Sequence, residues 1–437
     1  MTRTEVGPGP RIEPGYNSSP FEPTLPPVTD LSKVNLLDPE LYQFGDPHAV
    51  WKLLREQAPV FWNAQGALGT EGQGFWAVTR YDDIYRVLRD HEHFSSTRSP
   101  FLDVTADMIG ADAMLCLDPP RQRQLRRVTQ NLFTPKKMRE WDGELTAIAD
   151  RLIDGVIERG ECEFASEIAV KFPIYAACAL LGVSDAEADE VTAVSTKLHS
   201  TASSDALMEF NQVGMDLFKR LMEQRRDDPG PGIVGAVLRG ETDEGAPLTD
   251  SEIFAYLWLL FVGGLDSATH AITGSLQTLF HHPDQMAVLR DSDAAGDEAV
   301  LDSAVEEMLR WTTIAQHHKR YCMADTEIAG QKITRGEYVA IFLPSANRDE
   351  AAFPDPFRFD VTRKGTPIAT FGHGPHTCLG LHYARLELRT LFRQIVRRMP
   401  DIGPAAPMTR GRGFTILLSP IHHQPVRFTP GPRVSKL

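Results

Sequence analysis

A mainly helical protein with small β-sheets, built as a single large domain, is predicted by three features of the sequence. Apolar residues recur at helical spacing through most of the chain, and a capped segment from Thr249 to about His281 is apolar on all sides over its first turns. Only short runs, at 75–78, 338–343 and 414–418, have strand character. With 437 residues, 42% of them apolar and 24% charged, the composition excludes disordered, collagen-like and disulfide-scaffold classes.

In chain order, residues 1–30 are rich in proline with glycine and serine between, too poor in apolar pairs to bury surface, and predict a flexible tail before a domain spanning 31–437. From Pro47 the spacing of Val50, Leu53 and Leu54 predicts a helix, followed by the strand at 75–78 and a helix over 82–88. Asp118-Pro119-Pro120 opens a strongly basic helix, with the aspartate suited to cap it. Residues 184–228 read as a pair of polar helices, mobile in character, ended by Asp228-Pro229-Gly230-Pro231-Gly232. Thr249 and Glu252 form a capping box, and His282-Pro283 stops the helix they open, giving a rod of about 48 Å that must pass through the middle of the protein. Val300, Leu301, Ala304, Val305, Met308 and Leu309 line one face of a further helix.

Several functions are excluded at this level. A formal charge of −14 disfavours nucleic acid as the main partner, because phosphate binding needs a basic excess. The longest purely apolar run, residues 253–262, is shorter than the roughly 20 residues of a membrane span. The five cysteines, at 116, 162, 178, 322 and 378, contain no CxxC pair and suggest reduced thiols in a cytoplasm, with no secretory leader read at the N-terminus. The final Ser435-Lys436-Leu437 has the form of a peroxisomal address, a match short enough to arise by chance.

Chemistry concentrates in the segment from Phe371 to Gly380, Phe-Gly-His-Gly-Pro-His-Thr-Cys-Leu-Gly, which is followed by an amphipathic helix. A cysteine at such a junction sits in the positive field of a helix N-terminus, where thiolate is favoured and a soft metal can be bound. Two other readings stand beside it: Cys378 as a small buried residue, and zinc held by His373, His376, Cys378 and His382. Gly374 and Gly380 flank the cysteine as though a flat surface approached the backbone. In the central helix Gly263 and Gly264 each cost about 1 kcal/mol relative to alanine, which a groove over a ligand would justify. Asp266, Ser267 and Thr269 follow them and could move protons, or could simply bond back to the preceding turn. Glu307 and Arg310 lie three apart on a helix, a spacing that in isolation is a surface ion pair.

Taken together these residues resemble the cytochrome P450 superfamily of haem-thiolate monooxygenases. The loop matches F-x-x-G-x-x-x-C-x-G at every fixed position, Glu307 and Arg310 match E-x-x-R, and Arg358 falls in a P-x-R-F element. Asn347-Arg348-Asp349 and Phe353-Pro354-Asp355-Pro356 look like the bacterial soluble branch, and Gly263-Gly264-Leu265-Asp266 like its camphor hydroxylase members. The resemblance implies the cytochrome P450 fold, haem b with Cys378 as axial ligand, and Phe371, Gly380, Gly263 and Gly264 against the haem. It further implies a structural triad of Glu307, Arg310 and Arg358, and haem propionates held by Gln122, Arg126, Arg320 and His376. Ser267 stands where the family usually has threonine, so Asp266 and Ser267 are the implied proton-delivery pair, with serine lacking the β-branch that restricts χ1.

The function implied is insertion of one oxygen atom from O2 into a small, largely apolar substrate, a terpenoid or other secondary metabolite. Electrons would come from NAD(P)H through a ferredoxin reductase and a ferredoxin, in a cytoplasmic monomer. Alternatives on the same fold are epoxidation, oxidative coupling, peroxide-driven oxidation and a non-catalytic haem-thiolate sensor. Arg121, Arg123 and Arg127 offer a local basic patch for an acidic ferredoxin. His317 and His318, near the expected cavity, are candidates for polar substrate contacts or for the propionates.

Overall fold

The computed structural model describes residues 25–110, 112–201, 204–407, 409–410 and 421–435. The strand expected at 414–418 and the last two residues of the chain lie outside the described residues, as do residues 1–24. The expected tail ends sooner than residue 30, since Leu25 N–H already donates to the Phe44 carbonyl and Asp30 caps a short helical turn.

The main elements are α1 (Pro47–Gln57), β1 (Val60–Asn63), β2 (Phe75–Val78), α2 (Tyr81–Arg89), β3 (Phe94–Ser95), α3 (Arg121–Thr129), α4 (Asp142–Asp154) and α5 (Lys171–Leu181). They continue with α6 (Asp185–Thr201), α7 (Ser204–Gln224), α8 (Asp250–His281), α9 (Glu298–Thr312), β4 (His317–Cys322), β5 (Tyr338–Phe342) and α10 (Leu381–Arg398). Helices dominate, and the one sizeable sheet among the described residues has the order β1-β2-β5-β4-β3, with β2 and β5 parallel and the other pairs antiparallel.

At β2 and β5 that sheet is apolar on both faces, which explains why β5 reads as an unbroken apolar run rather than an alternating one. Phe75, Ala77, Tyr338, Ala340 and Phe342 pack with α1 residues Val50, Trp51 and Leu54. Val78, Val339 and Ile341 pack with Ile84, Val87 and Leu88 of α2 on the other side. The larger core is helical, and α8 runs through it, packed against α5, α7, α9 and α10.

α8 is where sequence and structure agree most closely. Thr249 Oγ1 accepts the Glu252 N–H and the Glu252 carboxylate accepts the Thr249 N–H, so the capping box forms as expected and the helix ends before Pro283. By length and composition alone this helix could cross a membrane, yet from Ala268 to Leu279 it is buried on every side within the protein. Asp118 does not cap α3. Its carboxylate is taken by Ser95 and Ser96, and Pro120 stands at the cap position.

Candidate functional site

The cysteine loop is fixed by its own backbone before any side chain helps. Cys378 N–H donates to the Phe371 carbonyl at 2.9 Å and Thr377 N–H to Gly374 at 3.1 Å, so the loop folds back on itself ahead of α10, which Gly380 caps. Gly374 has φ +73°, and a Cβ there would lie 2.5 Å from the Leu88 carbonyl oxygen. The glycine therefore serves close packing on α2, not the approach of a ligand. Gly380 differs: nothing lies within 4 Å of where its Cβ would be.

Three sets of side chains brace the loop. Asn347 accepts the Ala369 N–H at 2.7 Å and donates to the Thr313 and Thr370 hydroxyls. From α3, the Gln122 amide donates to the Pro375 carbonyl at 2.7 Å and Arg126 to the Thr377 carbonyl at 2.6 Å. From α9, Glu307 and Arg310, each about 1% exposed, form a two-pronged ion pair at 2.7 and 2.8 Å. Arg310 also donates to the carbonyls of Asn347 and Pro356, which ties the helix to the chain leading into the loop.

One expectation is corrected here. The second guanidinium on Glu307 is that of Arg363, at 3.1 Å, five residues beyond Arg358. The Arg358 side chain is exposed, and what that residue contributes is its carbonyl, which accepts from Arg310 and from Arg363. The physical reason is a turn at Asp360, whose N–H donates to Glu307 and so brings Arg363 rather than Arg358 over the carboxylate. Gln122 is fully buried and gives one amide hydrogen to the loop, so it braces the loop, with its second amide hydrogen not used in that bond. Its side chain is shorter than that of Arg126 one turn on, which keeps further donors to spare.

The thiol itself occupies a distinctive position. Cys378 is exposed, yet it is crowded enough by protein that burial pushes its pKa up, against the opposing pull of the Gly380 N–H, Arg126 and Arg385. A group both deep and exposed lines an internal hollow. The face of α8 carrying Gly263 and Ser267 is exposed in the same way, although Leu265, Ala268 and Thr269 beside it are buried. No atom lies within 4 Å of a Cβ placed on Gly263 or Gly264. Arg126 joins the two walls, since it interacts electrostatically both with Cys378 and with Tyr256 on α8. Ser267 Oγ donates back to the Gly263 carbonyl at 2.8 Å, and Asp266 beside it is partly buried.

Around the hollow the charge is one-sided. Arg320 is 4% exposed, and burial lowers its pKa to about 10, with Asp118 opposing. Neither Arg320 nor Arg126 forms an ion pair among the described residues. His376 is pushed down to about 3 by burial and by Arg320, His318, Arg126 and His91, and its buried Nε2 has no partner. Buried cations without anions, and an orphaned imidazole nitrogen, fit a ligand that brings its own carboxylates. A flat group with two carboxylates and a metal that accepts a soft sulfur ligand, as haem b has, meets all of these conditions. The four possible zinc donors do not converge, and the His373 ring lies tilted by 30° against that of Tyr85 with centroids 4.7 Å apart. Among the described residues no three His, Cys, Asp or Glu side chains gather as a metal-binding cluster.

Arg363 and Arg385 were not singled out by the sequence, and Asn347 entered only as part of a family motif, without its role in bracing the loop. Arg385, on α10 one turn beyond Leu381, lays its guanidinium 4.6 Å from the centre of the Phe371 ring and pairs with Glu306. Its position two turns past the cysteine on an otherwise amphipathic helix was the available signal. The basic patch of α3 is weaker than its sequence suggests, because Arg121 pairs with Glu252 and Arg127 with Asp243, leaving Arg123 as the one of the three without an ion pair among the described residues.

A family model described as Cytochrome P450 matches residues 188–399. Steroid C26-monooxygenase of Mycobacterium tuberculosis is 31% identical over 416 residues, covering 93% of this chain and 99% of that protein. Methyl-branched lipid omega-hydroxylase of Mycobacterium bovis is 30% identical, covering 87% and 91% respectively. Among solved structures, a Mycobacterium marinum cytochrome P450 in complex with pseudoionone superposes with a TM-score of 0.81 at 28% identity, covering 92% of this chain and all of that one.

Proposed function

Because the chain belongs to the cytochrome P450 family and is a haem-dependent monooxygenase, we propose that it inserts one oxygen atom of O2 into a small, largely apolar molecule. Its electrons come from NAD(P)H by way of a ferredoxin reductase and a ferredoxin, and it works as a monomer in the cytoplasm. The observation that carries this reading is the Cys378 thiol, exposed at a helix start inside the protein and facing a hollow ringed by unpaired cations. That a steroid, a methyl-branched lipid and pseudoionone appear in the names of similar proteins supports an apolar substrate, a terpenoid or a lipid.

In this reading Cys378 would hold the iron of haem b, and the haem, when bound, would supply dioxygen activation strengthened by electron density from the thiolate. The chain's own residues prepare the ligand and the cavity. The Gly380 N–H, Arg126 and Arg385 favour the thiolate against the burial that opposes it. Arg126 and Arg320 neutralise the two propionates, and the His376 Nε2 is placed to donate to one of them. Glu307, Arg310 and Arg363 hold the chain from Asn347 to Arg358 under the loop, which keeps the sulfur in position.

On the opposite wall, Gly263 and Gly264 keep side-chain atoms out of the hollow that Cys378 faces. The Ser267 hydrogen is committed to the Gly263 carbonyl, so the oxygen offers its lone pairs to a water. A water held as donor by Ser267 and recharged through Asp266 delivers the protons that the reaction consumes. Retention of a hydroxyl and a carboxylate at these positions favours a working enzyme over a sensor. Reduced protein treated with carbon monoxide should show the red-shifted Soret band of thiolate-ligated haem, and Cys378→Ser should abolish it. A band unchanged in the serine variant would overturn the assignment.

A further inference from the structure

The arginines of α10, at 385, 389, 393, 397 and 398, are each paired with an acid of a neighbouring element. Arg385 differs from the other four in what else it touches. Its Nε and Nη2 take the carboxylate of Glu306 on α9, the second at 3.0 Å. Nη1 donates to the Leu381 carbonyl in the first turn of α10 at 3.3 Å, and the guanidinium carbon lies 4.6 Å from the centre of the Phe371 ring.

Phe371 is the residue whose carbonyl accepts the Cys378 N–H at 2.9 Å. Arg385 therefore fastens α9, the start of α10 and the entrance of the cysteine loop to one another, one hydrogen bond away from the Cys378 backbone. Attraction between a cation and the face of an aromatic ring holds the third of these contacts. A lysine could supply the charge but not the three-way fork.

The charge has an effect separate from the fastening. A cation beside a thiolate draws on its electron density, and less donation from the sulfur makes an iron held there easier to reduce. Arg126 and Arg385 are the two cations that bear on Cys378. Arg126 also serves the Thr377 carbonyl and, with haem bound, is matched by a propionate. Arg385 is matched only by Glu306, whose side chain is 40% exposed against 29% for the guanidinium, so water screens the acid more than the cation. A positive field is left on the sulfur side of the pair.

We propose that Arg385 is a positioning residue that raises the reduction potential of the haem iron held by Cys378, and that Glu306 moderates it. The inference rests on the monooxygenase reading and adds the place on the chain where the ease of electron uptake is set.

The test uses the haem-loaded full chain and a spectroelectrochemical titration of the iron. At a fixed applied potential Arg385→Gln should lower the ratio of reduced to oxidised iron about fivefold, about 40 mV at about 59 mV per tenfold for one electron. Arg385→Lys, which keeps the charge, should recover about half of that shift. Glu306→Gln should move the potential the other way and raise the ratio about twofold. The signs separate charge from fastening, because both glutamine variants break the same ion pair and a loosened loop would shift both in one direction. An unchanged potential in Arg385→Gln, equal shifts in Arg385→Gln and Arg385→Lys, or shifts of one sign in Arg385→Gln and Glu306→Gln would overturn the proposal. If Arg385→Gln does not retain haem, Glu306→Gln decides alone: a rise supports the proposal, and a fall or no change overturns it. A wild-type protein without the thiolate band would instead defeat the monooxygenase reading itself.

Discussion

The cysteine wall and the central-helix wall of the hollow differ in how firmly each backbone position is held. From Ala369 to Cys378 the loop is fastened by Asn347, Gln122 and Arg126, by its own backbone bonds and by contact with α2, while the Glu307 ion pairs anchor the chain that leads into it. Across the hollow, nothing lies within 4 Å of where a Cβ of Gly263 or Gly264 would be, and the Ser267 hydroxyl bonds within the helix itself, to the Gly263 carbonyl. The first wall specifies a geometry; the second leaves a volume. A ligand atom must be placed within a few tenths of an ångström for chemistry, whereas room for a substrate only has to be kept clear.

The largest effect should come from breaking the anchored side. Glu307→Gln leaves Arg310 and Arg363 without their carboxylate, and urea unfolding should show a loss of about 3–5 kcal/mol. Arg363→Gln, at a partly exposed site, should cost about 1–2 kcal/mol, and Arg358→Gln should stay within about 0.5 kcal/mol. Equal losses for the two arginines would return Arg358 to the triad.

A pair of glycine variants sharpens the contrast. Gly374→Ala forces a positive φ on alanine and a clash with Leu88, so thermal unfolding should register a loss of at least about 2 kcal/mol, with weaker haem retention. Gly263→Ala meets no atom and improves helix propensity, so stability should rise by up to about 1 kcal/mol while substrate affinity falls. Destabilisation by both would mean that the two walls are equally constrained.

Smaller still, and confined to turnover, is the effect expected at Ser267. Ser267→Ala should bind haem and substrate normally, yet form less product per NADH consumed, by roughly half or more, with hydrogen peroxide making up the difference. Ser267→Thr should preserve coupling or improve it through its χ1 restraint. Equal coupling in wild type and Ser267→Ala would clear Ser267, and a collapse confined to Thr269→Ala would move the role one helical step along. The least effect belongs to Arg123→Glu, which should slow reduction by ferredoxin severalfold at low ionic strength and hardly at all at high salt, since its two neighbours are already paired.

What could be read from the sequence follows the same division. Local signals with a single structural solution were legible: the Thr249 and Glu252 capping box, the His282-Pro283 stop, the apolar run of β5 and the glycine-flanked cysteine. β4 was missed because His317-His318-Lys319-Arg320 has no strand-like hydrophobicity. Its polar groups are accommodated by the Leu102 N–H and the Gly69 and Arg98 carbonyls, more than 200 residues away in sequence. Arg363 was hidden for a related reason, since spacing alone cannot show which of two arginines a turn will carry over a buried carboxylate. The half-neutralised α3 patch depended on Glu252 and Asp243, acids that only the fold brings near.

The contact between Gly374 and Leu88 has a mechanical consequence. A junction with no room for a single methyl group leaves little slack, and the tilted Tyr85 and His373 rings, with centroids 4.7 Å apart, make a second contact across it. α2 and the cysteine loop are therefore joined with no spare volume between them. The outer face of α2, where Arg86 and Arg89 border an open groove with Tyr81 and Tyr85, lies a single helix away from the loop that carries Cys378.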